Sequence, residues 1–569
     1  MMTTLLIATV ALPVCAVVLA IWRPRLGPWL AVATPLPGLA LAILATTEFQ
    51  VHVPALLLGA IFGVDGPGRL LLGLSASLWL AAGVFAGGYH KSDPNAGRMW
   101  AWWLTTQALN LGLILCQDAV SFMAFYAALG LVSWGVITIE RTPQAYRAGR
   151  VYIVLALAGE FLLFIGVVWL AQYAAGFSLA DMRHAWSDRV PAAVPLFIIL
   201  AFGVKAALLP LHLWLPLAHP VAPVPSSAIL SAVLVKTGVL GWWRFMGTCV
   251  ELPGDPSSWW IPLGLAGAAG AALYGTLQRD PKTVLAYSTI SQLGLISVLF
   301  ASLLGQHAEL AVTLPALGFF LWHHGLSKAA LFLGVGIMKS DQPTRRRLWL
   351  WAALILPAIA LAGAPYTSGL AAKQVVKLAA TGAGDWAPLL KIVLPLTGAT
   401  TALLLARFLW LVYPHDHRHE GDAHHPHPLA PGMLIGWIAI LIGIIALPVV
   451  GVYGIGAGAF KISYVWSSLW PILVGTAVAI GLSRTILAGD RSGAPPGDLL
   501  IPVQYLLVAL RDTLRAYVAG LSRLQSAILA RLHMPRMPRM PDLPDDHPVT
   551  AGISIVLLIT VLLAIFALR

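Results

Sequence analysis

The chain has 569 residues, of which 59% are hydrophobic and 10% charged. A soluble domain carries about 25% charged residues, so this composition excludes a protein that must cover itself with a water-exposed surface. The formal net charge of +12 does not require nucleic acid, because basic residues gather in the loops on one side of a membrane protein and set its orientation.

The N-terminal run "MMTTLLIATVALPVCAVVLAIW" has no basic segment before it, and "RPR" follows it, so it reads as a first spanning helix, not a cleaved signal. Apolar runs of spanning length predict roughly sixteen spans. They lie near 2–22, 29–47, 67–88, 99–116, 119–138, 150–172, 192–215, 225–247, 259–278, 284–303, 310–338, 348–380, 388–412, 432–453, 463–483 and 550–568. The expected fold is an all-α polytopic membrane protein. Cys15, Cys116 and Cys249 sit in three separate apolar regions without metal or disulfide spacing, so no chemistry is assigned to them.

One set of connections holds Arg23, Arg25, Lys91, Arg98, Arg141, Arg147, Arg150, Arg279, Lys282, Arg345, Arg346, Arg347 and Arg418. The opposite set is almost free of basic residues, apart from Arg183 and Arg189. This asymmetry predicts a bacterial cytoplasmic (inner) membrane protein with the basic loops inside and both termini on the outer, periplasmic side. Between the last two spans, residues 495–534 repeat apolar residues at helical spacing, with Arg511, Arg515, Arg523 and Arg531 on one side. They predict an amphipathic helix on the cytoplasmic surface. "MPRMPRMPDLPDD" then forms a stiff linker to the final span at 550–568.

Several charges fall where a bilayer is least hospitable. A lysine at the bilayer centre costs roughly 2.5–3.5 kcal/mol on insertion scales, and the midplane lies about ten residues into a span at 1.5 Å per residue. Glu160, Lys205, Lys236, His324 and Lys328 all lie near that depth, and Lys373 follows an interruption in the twelfth span. A lone lysine can simply neutralise a buried acid, and His324 can be a satisfied structural histidine. Titratable groups at one depth on several helices are better explained by a hydrated polar axis in the membrane plane, the usual setting of a proton relay.

Two of these lysines lie beside helix breaks. "KAALLPLHLWLP" places Pro210 after Lys205, and "GAPYTSGLAAK" places Pro365 and Gly369 before Lys373. Proline removes a backbone donor, which membrane depth tolerates only against protein or water. His212 and His323 are supporting candidates. Interrupted helices five spans apart predict two inverted five-helix repeats, at 99–247 and 259–412. These follow N-terminal spans in 1–98 and precede spans in 432–483.

"LPLHLWLPLAHPVAPVPSSAILSAVLVKTGVLGWWRF" resembles the central motif of the antiporter-like subunits of respiratory complex I, of Mrp-type antiporters and of group 4 hydrogenase membrane arms. "DPKTVLAYSTISQLGLI" and "HHGLSKAALFLGVG" match the next two motifs in order, so the resemblance covers about residues 60–412. It implies a fourteen-helix core of two inverted five-helix repeats and proton movement driven by a partner module. It also implies that Lys205 is the lysine of the first broken helix and Lys236 a bridging lysine. By the same resemblance His324 and Lys328 form the central relay, and Lys373 faces the exit path. The family's usual glutamate in the fifth span is replaced by Ala127; Glu160, one helix later, is expected to partner Lys205 instead. The layout is closest to the L-type subunits, although the surface helix of about 35 residues is short for that role.

The expected function is a proton-translocating membrane subunit of a multisubunit redox-driven complex, NADH:quinone oxidoreductase-like or hydrogenase-like. An Mrp-type Na+/H+ antiporter subunit and a membrane subunit of a proton-driven inorganic-carbon uptake complex are the alternatives. No nucleotide loop, cysteine cluster or haem pattern is present, so no cofactor is expected and the driving reaction is assigned to partner subunits. The loop "HDHRHEGDAHHPHP" (His415, His417, His419, His424, His425 and His427) offers metal ligands without helical spacing. It reads first as a solvated loop and only second as a weak zinc or nickel binder.

Overall fold

In so apolar a chain the few polar residues between runs decide where helices begin. Asp65, Asp118, Thr142 and Asp280 each accept a hydrogen bond from the backbone N–H three residues on, at 2.7–3.1 Å. Pro143 and Pro281 follow two of these caps at the first helical position, where a missing N–H costs nothing. The computed structural model describes residues 1–483 except 92, 94, 188, 248–251, 305–309, 382, 415–427 and 452–463. The expected helix at 495–534, the final span at 550–568, Cys249 and the histidine-rich loop all lie outside the described residues.

Helix α1 (Met2–Trp22) is followed by α2 (Gly27–Ala33) and α3 (Leu36–Leu44), one span interrupted at Thr34 and Pro35. An antiparallel hairpin of β1 (Phe49–Val53) and β2 (Ala60–Val64) comes next, pairing Phe49 with Val64 and Val53 with Ala60. Then come α4 (Gly66–Tyr89), α5 (Ala96–Leu115), α6 (Ala119–Ile137), α7 (Pro143–Ala171) and the short α8 (Leu179–His184). The first broken span consists of α9 (Ala193–Lys205) and α10 (Trp214–Val221). The next span joins α11 (Val224–Ile229) to α12 (Lys236–Met246) through a π turn at Leu230–Leu234.

Helices α13 (Ser257–Thr276), α14 (Pro281–Leu303) and α15 (Leu310–Lys339) lead to the second broken span, α16 (Thr344–Ala362) and α17 (Ser368–Thr381). Helices α18 (Ala387–Leu411), α19 (Pro431–Val450) and α20 (Val465–Ser483) complete the described chain. Each expected span from 2–22 to 463–483 falls on a helix or on one of the broken spans. Among the described residues ten helical stretches are long and apolar enough to cross a membrane, and the protein is an all-α polytopic membrane protein. The stretch Val224–Met246 and helix α14 are buried along their whole length, whereas α1 and α20 lie mostly exposed at the rim.

Both breaks sit where proline was expected to put them, but the glycines divide the work differently. Residues 206–213 separate α9 from α10 and include a cis Leu209–Pro210 bond and Ala207 at φ 51°. In the second break α16 ends on Gly363 at φ 90°, and Pro365 follows before α17 begins. Gly369 was expected to break the helix, yet it lies inside the first turn of α17. Its bare Cα lets that turn close onto the Ala360 carbonyl, where a Cβ would collide.

At one end of the bundle a buried arginine ties the hairpin to the helices. Arg244, in the last turn of α12, donates from Nη2 to Asp65 Oδ1 at 2.8 Å and from Nη1 to the carbonyls of Cys116 and Leu113. Its own carbonyl accepts from Arg183 Nη1 at 3.1 Å, which accounts for one arginine in the otherwise base-poor set of loops. Asp118 Oδ2 accepts from the Ile61 N–H of β2 at 2.8 Å. Burial alone would raise the Asp65 carboxyl, but the Arg244 charge and hydrogen bond outweigh it and hold the group below its ordinary value. Breaking a buried pair strands the remaining charge, so Arg244→Met is expected to destabilise the protein by about 3–5 kcal/mol. Thermal unfolding of the purified protein in detergent checks this, with Arg25→Met as an exposed control.

Candidate functional site

Lys205 is the last residue of α9, where unpaired carbonyls give a helix its partial negative charge. The side chain is buried. Its Nζ donates to the Tyr152 hydroxyl at 3.0 Å, and that hydroxyl donates to the Gly130 carbonyl at 3.0 Å. The ammonium also lies 5.6 Å from the Tyr126 ring centroid and 5.5 Å from that of Tyr152, within cation–π range. Trp214, just past the break, donates to the Val204 carbonyl at 2.8 Å, which also accepts from the Ala207 N–H at 3.2 Å.

Glu160 and Lys205 line the same small cavity, with Tyr126, Tyr152, Ala201 and Trp214 around them. The carboxylate is not in direct contact with the ammonium. It lies against Gly130 of α6, where a Cβ would collide with Oε1 and stand 3.9 Å from Lys205 Nζ. A glycine at 130 is therefore what makes room for the carboxylate, one turn along α6 from Ala127. Among the described spanning helices Glu160 is the single carboxylate; every other ionisable candidate in the row is a lysine or histidine.

Further in, the candidates form two branches around Lys236. Lys236 opens α12 directly after the π turn and donates back to the Ala232 carbonyl inside that turn. His324 has Lys236, Lys328 and His323 as its charged or titratable neighbours, and neither of its ring nitrogens has a hydrogen-bond partner among the described residues. Lys328, one turn along α15, donates to the Leu285 carbonyl at 2.9 Å and to the Ser288 hydroxyl. Thr289 donates to the same Leu285 carbonyl and sits 2.8 Å from Ser231 of the π turn. Helices α14 and α15 thus meet at one carbonyl, and Thr289 links it to the π turn.

The second branch runs through His323, which faces both Lys236 and Lys373. Its Nδ1 lies 2.8 Å from the hydroxyl of Ser368, the first residue of α17. Lys373 donates to the carbonyl of Ala362, the last residue of α16. Both broken spans therefore use the same device: the C-terminal end of a half-helix receives a lysine. Lys373 and Lys377 line a cavity with Gln374, Thr397, Ser467 and Ser468. His212 is buried in the 3-10 turn after Pro210. No group of residues able to hold a metal occurs among the described residues.

Sequence reasoning missed Tyr126, Tyr152, Gly130 and Ser288, whose roles come only from neighbours on other helices. It also missed His219, fully buried and stacked on Phe332 at 4.5 Å, although the residue lies inside a quoted motif. Tyr152→Phe removes the only hydrogen-bond partner of Lys205 Nζ among the described residues. It is expected to lower stability by about 1–3 kcal/mol, read from the thermal midpoint in detergent.

The family model described as NADH:quinone oxidoreductase/Mrp antiporter, TM matches residues 116–397, the stretch that holds Glu160, Lys205, Lys236, His324, Lys328 and Lys373. Hydrogenase-4 component B of Escherichia coli (strain K12) is 27% identical over 367 residues, 59% of this chain and 54% of that protein. The chain thus spans about half the length of that relative. NADH-quinone oxidoreductase subunit N of Desulforudis audaxviator (strain MP104C) is 27% identical over 408 residues, 66% of this chain and 79% of the relative. A chain in the solved Mrp complex from Dietzia sp. DQ12-45-1b aligns with a TM-score of 0.72 at 19% identity, covering 95% of this chain and 64% of that one. At that identity the likeness speaks for the fold.

Proposed function

Residues 116–397 belong to the NADH:quinone oxidoreductase/Mrp antiporter transmembrane family, and from that premise we propose that the chain is a proton-conducting membrane subunit of a redox-driven complex. The observation that carries the reading is a series of titratable groups within the spanning helices: Glu160 and Lys205 on one cavity, Lys236 with His324 and Lys328, and His323 with Lys373. A proton on Lys205 is held there by Tyr152, by the α9 terminus and by the Glu160 charge across the cavity. When a partner module displaces or protonates Glu160, that hold weakens and the proton moves towards Lys236. Lys373, seated on the α16 terminus, is the release group. Glu160 takes the place that Ala127 leaves open, and Gly130 supports this by making the room its carboxylate occupies.

Proton transfer is favoured over sodium exchange by the charge of the row. A dehydrated Na+ needs several oxygen ligands, and one carboxylate among lysines and histidines offers a repulsive path. The basic loops are assigned to the cytoplasmic face of a bacterial inner membrane, and the driving redox or peripheral module to partner subunits. Four spans lie between the two broken ones, which therefore run in opposite directions, and this supports the inverted repeats at 99–247 and 259–412.

The test is proton uptake by vesicles containing the purified complex. Lys205→Met and Lys373→Met are each expected to lower the rate by roughly 100-fold, the usual weight of a positioned proton-transfer group. Glu160→Gln and Gly130→Ala are expected to slow it while leaving assembly intact. Wild-type rates in both lysine variants would reduce the row to a structural feature.

A further inference from the structure

Down one helix outside that row lies a series of buried nitrogens with nothing to bond. In and beside α5, His90 Nε2, Arg98 Nε, Trp103 Nε1, Gln107 Nε2 and Asn110 Nδ2 are all buried and have no hydrogen-bond partner among the described residues. Positions 103, 107 and 110 are spaced four and three apart, so they share a helix face. Trp103 is 3% exposed, and Gln107 and Asn110 are 0% exposed. An unpaired buried donor is costly, and several along one face would take up a large part of a domain's marginal stability.

Rotating the amides does not remove the deficit. Asn110 Oδ1 accepts from Trp79 Nε1 at 2.9 Å; indole only donates, so Nδ2 is necessarily the free end. Gln107 Oε1 lies 2.7 Å from Thr34 Oγ1, which is also 2.7 Å from the Leu30 carbonyl. A hydroxyl has one proton to give, so either orientation of Gln107 leaves a polar atom over. The missing partner must be a small neutral acceptor that can also donate. The orphans at Arg98, Trp103 and Asn110 are N–H groups, which repel a metal cation, and the Gln107 amide leaves either an N–H or a carbonyl over, a mixture that suits water.

There is also a way in and a way out. At the end carrying the basic loops, His90 Nδ1 lies 3.0 Å from Asp93 Oδ2, and that hydrogen bond holds the Asp93 carboxyl below its ordinary value. With Nδ1 turned to Asp93, Nε2 is the ring nitrogen left without a partner among the described residues. Beside the first half of α5 a cavity lies between Met99, Trp103 and Thr106 on one side and Ser226, Ile229 and Leu234 on the other. The second set belongs to α11 and the π turn, and Lys236 follows two residues after Leu234.

We propose that this face of α5 holds a file of buried waters and forms a proton-entry branch from the basic-loop surface to the helix of Lys236. The proposal rests on the proton-conducting reading and adds a second feed to the row besides Glu160. Two measurements test it. A high-resolution cryo-EM map of the intact complex in lipid nanodiscs is expected to show ordered water density beside Trp103 Nε1, Gln107 and Asn110; a dry face there overturns the proposal. In vesicles, the double variant Trp103→Phe/Gln107→Leu keeps the packing but removes the donors. Its uptake rate is expected to fall about three- to tenfold, the rate equivalent of one lost hydrogen bond in the path. Should the double variant fail to assemble, Trp103→Phe alone decides, since it deletes a single N–H. If Lys205→Met abolishes uptake while the α5 variant pumps normally, the entry branch falls and the proposed function stands. If neither variant changes uptake, the proposed function itself fails.

Discussion

Everything in this protein depends on how an ammonium group is kept inside a bilayer. Carboxylates would be the obvious counter-charges, yet among the described spanning helices there is one, Glu160, for Lys205, Lys236, Lys328 and Lys373. The fold supplies backbone and hydroxyl oxygen instead. Lys373 takes the carbonyl that ends α16, Lys236 a carbonyl within the π turn, Lys328 the Leu285 carbonyl, and Lys205 a tyrosine hydroxyl at the end of α9. For Lys236 and Lys373 the interrupted helices themselves supply that oxygen, so the breaks carry negative potential as well as bending the chain.

The same constraint orders the packing. Carbonyls freed by a break are tolerated only where other protein covers them, so the lysine-bearing segments lie deep. The span that holds Lys236 and the helix that holds Leu285 are buried from end to end. Close contacts then depend on glycine at particular points. Gly238 brings α12 against the Phe202 carbonyl and the Ala206 N–H at the end of α9, and Gly369 closes α17 onto α16. Side chains of any size at those points would hold the half-helices apart and leave their termini uncovered.

Much of this was legible in the sequence, for an identifiable reason. A charge within twenty apolar residues is conspicuous, and proline within a span marks a break, so Lys205, Pro210, Pro365 and Lys373 declare themselves locally. What was not legible is set by partners far along the chain. Tyr152 looks like any aromatic residue in an apolar run until α9 places Lys205 beside it. The hairpin at Phe49–Val64 is as apolar as the start of a span, and no residue type announces a π turn. Gly369 was misread because glycine permits both a left-handed turn and a close approach; Gly363 makes the turn, and only the packing of α17 on α16 separates the two uses. The orphan donors of α5 are ordinary residues in sequence, and they become informative only once their neighbours are seen to have nothing to offer them.

The Arg244 cluster sits eight residues from Lys236 on the same helix, and its position has a mechanical meaning. Arg244 is fastened to the cap of α4, to the end of α5 and to α8 at once, so that end of α12 is clamped to the frame. The opposite end runs into a π turn, the one stretch of the span whose hydrogen bonding departs from the α pattern. A helix clamped at one end and compliant at the other behaves as a cantilever. Lys236 is carried at the junction of the two, where the regular helix meets the irregular turn.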